Sequence, residues 1–145
     1  MSQENVELVR SVYDAVGRRD AASVLALYDP DVEWDSTRGP MRDLMGGPTV
    51  YHGHDELRRW FREWYEAWEN VEANVEELID AGDQVIAVLN YRGRGRVSGV
   101  EVELTAMAGV WTIRKGKIVR VVWFGSRAEA FEAVGLRSRR CLRRT

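Results

Sequence analysis

The segment YHGHDELRRWFREWYEAW, residues 51–68, constrains the fold more than any other part of the chain. Tyr51 and His52 read as the end of a short strand that turns at Gly53. A helix over 55–69 is predicted next, because Leu57, Trp60, Phe61, Trp64 and Trp68 recur on one helical face. Arg58, Arg59, Arg62, Glu63 and Glu66 cover the opposite face. The residues that follow read almost entirely as strand, over 71–80, 84–94, 100–114 and 117–124. Ala81-Gly82-Asp83 and Lys115-Gly116 supply tight turns between them. A long antiparallel sheet that curls around such a helix leaves a cone-shaped hollow, and a hollow of that kind can hold a small molecule.

Two shorter helices come first. Val9, Val12, Tyr13 and Val16 form an apolar stripe over 4–18, with Glu7, Arg10 and Asp14 opposite. Asp20 is placed to cap a second helix carrying Val24, Leu25 and Tyr28. Pro30 is expected to end that helix, since the residue before a proline avoids helical geometry. A strand over 32–35 sets Val32 and Trp34 on one face, Glu33 and Asp35 on the other. Gly39, Pro40, Gly46, Gly47 and Pro48 mark 36–50 as a loop. Met41, Leu44 and Met45 within it read either as a flap over something hydrophobic or as a loop packed on the body. The segment RGRGRVSG reads as a hairpin tip whose arginines keep it solvated, and a last helix over 128–134 stops at Gly135.

Composition sets limits rather than a function. With 145 residues, 45% hydrophobic and 30% charged, the chain has enough apolar material for one folded domain. A single domain over 1–136 with a basic tail over 137–145 is expected. No apolar run reaches the roughly 18 residues a membrane span needs, and no signal-peptide pattern opens the sequence. The one cysteine, Cys141, excludes an intramolecular disulfide and a cysteine-built zinc site, so a cytoplasmic location is the default expectation. The net charge of -2 conceals five arginines in the last nine residues, which leaves the body acidic. The tail reads as a solvated terminus pairing with that body. Nothing in the body reads as a nucleic-acid face.

The order of these elements resembles the nuclear transport factor 2-like (NTF2-like) superfamily, and within it the SnoaL-like branch named for polyketide cyclases. The match is carried by Tyr13 and Asp20, LYDPDVEW at 27–34, YHGHDELRRW at 51–60 and VWTIRKGKIVRVVWF at 110–124. It implies an α+β fold, a cone of curved antiparallel sheet packed against three N-terminal helices. It also implies pairing of sheets across a two-fold axis. Val100, Val102, Leu104 and Ala106 alternate with Glu101, Glu103, Thr105 and Met107, so the outer sheet face is expected to meet a second copy in a homodimer. The fold hosts isomerases, cyclases, epoxide hydrolases, dehydratases and proteins without chemistry, so it does not fix the function.

Asp35 is the candidate general base, because it ends the first strand close to where steroid isomerase relatives place theirs. Desolvation in an apolar cone raises a carboxyl pKa toward neutrality. Its neighbours Glu33 and Ser36 are alternatives, and a solvated acid near Arg38 is the plain reading. Tyr13 lies near the oxyanion tyrosine of those relatives, or is a core tyrosine with its hydroxyl at the cavity edge. The second acid of the isomerase scheme falls on Gly109, so that scheme is incomplete. The Asp–Arg–Asp relay of the epoxide hydrolases fails around Asn90, Tyr91 and Arg92 and again after Trp123. The aspartate and histidine of the cyclases are missing from the sheet. His52 is set toward the cone mouth and His54 at the helix entrance with Asp55; HGHD lacks the spacing of a zinc motif, so no metal and no cofactor are expected. The expected ligand-binding set is Tyr13, Trp34, Tyr51, His52, Trp60, Trp64, Asn90, Met107, Trp111 and Trp123. Two function classes follow. One is an isomerase, cyclase or dehydratase that moves a proton on a small apolar molecule. The other is a ligand-binding or dimeric interaction domain without chemistry.

Overall fold

In the computed structural model, which describes residues 2–40 and 50–135, helix α1 (Ser2–Gly17) turns Val6, Val9, Val12 and Ala15 into the core. Each step of three falls about 60° short of a full turn, so these four positions wind around the helix and give it a broad buried surface. Asp20 caps α2 (Ala21–Ala26) as expected. Its carboxylate accepts from the Ser23 N–H at 3.1 Å and the Ser23 hydroxyl at 2.6 Å, bonds that hold this carboxyl below its usual range.

Pro30 does not end α2. The helix stops at Ala26, and β1 (Tyr28–Asp35) has already begun when the proline arrives. The register between β1 and β6 slips between Tyr28 and Glu33, so the proline lies where no ladder bond requires its missing N–H. After β2 (Val50–His52), Gly53 at φ +79° turns the chain into α3 (Gly53–Ala67). That left-handed backbone suits glycine. His52, not His54, stands at the N-cap, and its backbone N–H donates to Glu56 Oε1 at 2.7 Å. Leu57, Trp60 and Trp64 are the buried stripe. Trp68, predicted to close that stripe, is instead the first residue of β3 (Trp68–Ala81), although its ring still meets Trp64 at 6.1 Å.

The remaining elements are β4 (Gln84–Gly95), β5 (Glu101–Arg114), β6 (Lys117–Phe124) and α4 (Arg127–Ala133). Lys115 and Gly116 both have positive φ, the backbone a two-residue hairpin turn demands. The six strands form one curved, open sheet in the order β2-β1-β6-β5-β4-β3. Every pairing is antiparallel except β1 with β6, which is parallel. The fold is thus the expected α+β cone, with α1, α2 and α3 on the concave side.

Alternation splits the sheet into two faces. Val85, Ala87, Leu89, Trp111, Ile113, Val121 and Trp123 belong to the concave core. Ile86, Val88, Ala108, Val110, Val122 and Phe124 point the other way, beneath Ala130 and Phe131 of α4. The 100–107 segment that the sequence offered to a second copy is not part of this strip, which is covered within the chain. Beyond it the convex side is a mosaic of exposed ion pairs, including Arg92 with Glu72 and Arg120 with Glu33. Such pairs add at most about 1 kcal/mol each. No helix among the described residues is long and apolar enough to cross a membrane. The expected flap with Met41, Leu44 and Met45 and the arginine-rich tail lie outside the described residues.

Candidate functional site

A chain of aromatic rings runs along the concave side. Tyr13 of α1 meets Trp111 at 5.7 Å, Trp111 meets Trp123 at 5.9 Å, and Trp123 meets Trp34 at 6.0 Å. Trp34 then meets Trp60 at 4.1 Å, which stacks on Trp64 at 5.2 Å. Four of these five contacts are edge-to-face, the arrangement the ring quadrupole favours. Three strands and two helices each contribute, so the ring chain exists only once the sheet has curled.

These rings enclose a hollow of about 80 Å³. Tyr13, Trp34, Trp60, Trp64, Trp111 and Trp123, all expected as ligand contacts, line it. So do Tyr28, Phe61, Tyr65, Tyr91 and Arg19, which the sequence reading did not select. Tyr91 had a signal: Val85, Ala87 and Leu89 point inward, and the next inward position of the strand is 91. Tyr28 was hidden by its assignment to a helix.

The other expected residues lie elsewhere. Tyr51 and Met107 are buried in the core but do not line the hollow. Asn90 points outward, and its side-chain carbonyl accepts the Ala106 N–H at 2.8 Å. His52 is exposed on the convex side, with Nε2 at 3.7 Å from Glu33. His54 sits at 3.0 Å from the Tyr28 carbonyl, so the two histidines have different partners. Asp35 corrects the expected site most. Trp34 beside it points into the hollow, so Asp35 points away from it, opposite Val122 of the convex cluster. Its carboxylate accepts the Thr37 N–H at 2.8 Å, a local turn bond. Glu33 shares that face, and Ser36 is buried but does not line the hollow.

Among the described residues, then, the lining contains no Asp, Glu or His. What it contains is donors. Six buried side-chain polar atoms lack a partner among the described residues, and four of them belong to residues that line this one hollow: the Tyr13 hydroxyl and the indole N–H groups of Trp34, Trp111 and Trp123. An indole nitrogen can only donate. Burial, followed by mutual repulsion with neighbouring tyrosines, pushes the Tyr13, Tyr28 and Tyr91 hydroxyls above the ordinary phenol range. They stay protonated at any physiological pH and act as neutral hydrogen-bonding groups, not as bases.

A sequence profile of the SnoaL-like domain matches residues 9–121. The chain belongs to the SnoaL-like domain family. Solved structures agree on the NTF2-like fold. An NTF2-like protein of unknown function from Burkholderia pseudomallei is 27% identical, with a TM-score of 0.74 over 90% of this chain and 97% of that one. An NTF2-like protein from Burkholderia thailandensis is 32% identical, with a TM-score of 0.71 over 87% and 95%. TerC, co-crystallised with polyporic acid, shares the fold at 21% identity, with a TM-score of 0.73 over 91% and 98%. No curated protein matches this SnoaL-like chain.

Proposed function

We propose that this SnoaL-like protein binds a flat, apolar molecule that carries a carbonyl-type acceptor, with the acceptor facing the donors of the aromatic hollow. One observation carries the reading: four buried donors without acceptors sit on residues that line a single cavity. A buried donor left unsatisfied costs about 1–3 kcal/mol. A ligand oxygen removes that cost, whereas a pure hydrocarbon leaves it in place. TerC, of the same fold, was co-crystallised with polyporic acid, which supports a small-molecule occupant.

The donors would polarise a carbonyl, as a proton-transfer enzyme requires, but the described lining supplies no base. The binding reading is therefore preferred to the isomerase, cyclase or dehydratase reading. The hollow, at about 80 Å³, is below the roughly 300 Å³ usual for a ligand pocket, so the occupant extends beyond it toward the mouth.

Calorimetric titration with fluorenone and fluorene tests this, since the pair differs by one carbonyl oxygen. Fluorenone is expected to bind at least tenfold tighter, and Trp123→Phe to remove most of that advantage. Equal affinities for the two, or binding of neither, would refute the proposal.

A further inference from the structure

The aromatic hollow shares a wall with a second cavity. Val16, Arg19, Phe61 and Tyr65 line the hollow and also line this second cavity, of about 240 Å³, between α2 and α3. The deeper space and this outer one are thus two compartments with a shared wall. That wall is two aromatic rings, a valine and an arginine.

The chemistry changes from one compartment to the other. Besides Arg19, the outer cavity is lined by Arg58 and Arg62, both exposed, above an apolar floor that includes Val24 and Phe61. Its one acid, Asp20, has both carboxylate oxygens committed to Ser23. Arg58 is paired with Asp55 at 2.8 Å. Among the described residues neither Arg62 nor Arg19 has an acidic partner, and the Arg19 guanidinium stands over the Tyr65 ring, 5.1 Å from its centroid. Two guanidinium groups without acidic partners among the described residues thus stand at an apolar slot that shares a wall with the aromatic hollow.

We infer that the ligand is amphipathic: an aryl ketone or related flat acceptor whose far end carries a carboxylate, seated between Arg19 and Arg62. This rests on the reading that the hollow takes a flat acceptor molecule, and adds the ligand's charge and orientation. A guanidinium is planar and can hold a carboxylate with two parallel bonds, which a neutral ester cannot accept in the same way. The apolar body runs inward past Phe61 and Tyr65. Arg19 has a left-handed backbone, φ 56°, and lines both cavities.

The test compares a fluorenone carboxylic acid with its methyl ester, by calorimetry at low ionic strength. The acid is expected to bind at least tenfold tighter. Arg62→Gln and Arg19→Gln are each expected to cut that ratio below threefold. Arg120→Gln, on the convex face, serves as the charge control and should leave the ratio intact. If ester and acid bind equally well, the carboxylate inference is overturned while the hollow remains a binding site. If the acid keeps its advantage in both Arg19→Gln and Arg62→Gln, the assignment to these arginines is overturned. If neither compound binds, the inference falls together with the reading beneath it.

Discussion

Gly109 lies under Trp123. A Cβ built on it would stand 2.7 Å and 2.9 Å from two carbons of that indole and 3.1 Å from the Trp111 Nε1. Contacts that short force movement, and both indoles are buried. Position 109 is where the isomerase scheme needs a protonated acid, and the ring that lines the hollow takes the room such a side chain would use. Gly109→Ala is expected to lower stability by about 1–3 kcal/mol through overpacking, read by urea denaturation. The sequence displayed the glycine but not the ring above it. Asp35 teaches a related point. Its position at the strand end was legible, and so was its opposition to Trp34. Which of the two faces the hollow depends on which side of the strand the helices cover, and no single segment states that.

Strand β5 shows what one extra residue does. Leu104 pairs with Tyr91 and Met107 with Leu89, so β5 uses one more residue than β4 across the same span. Ala106, at φ 55°, sits in this bulge. Val102 and Leu104 face the concave side before it, and Met107, Gly109 and Trp111 face it after. A straight reading of the alternation put Met107 on the opposite face from Leu104; the bulge brings both to the concave side. Asn90 holds the irregularity by accepting the freed Ala106 N–H. Asn90→Ala is expected to destabilise the fold by about 1 kcal/mol in thermal or chemical unfolding. Ligand affinity should hold, because Asn90 does not line the hollow. Helices α1 and α3 were legible because a 3.6-residue stripe survives small errors at the ends. The bulge and the Pro30 strand were not, since both depend on a neighbouring strand.

Across the molecule, tyrosines and indoles supply most of the polar groups of the aromatic hollow, and this gives the fold a pH limit. Tyr13, Tyr28 and Tyr91 have folded pKa values raised by burial. Above about pH 10 an unfolded chain loses those protons while the folded one keeps them. The unfolded state then binds fewer protons, so stability falls as pH rises, by about 1.4 kcal/mol per tyrosine per pH unit. Below pH 10 these groups impose no pH dependence. An alkaline titration should show phenolate absorbance and loss of tertiary structure appearing together. Ionisation of more than two of the five tyrosines ahead of unfolding would mean that the Tyr13, Tyr28 or Tyr91 hydroxyls are open to water.

Helix α4 comes after all six strands in the chain, yet Phe131 and Ala130 are the lid on the convex strip of Ile86, Val88, Ala108, Val110, Val122 and Phe124. A polypeptide made from its N-terminus therefore displays a greasy back before it owns the means to hide it. During that interval, sticking to a neighbour competes with maturation, and the final short helix decides when the danger ends.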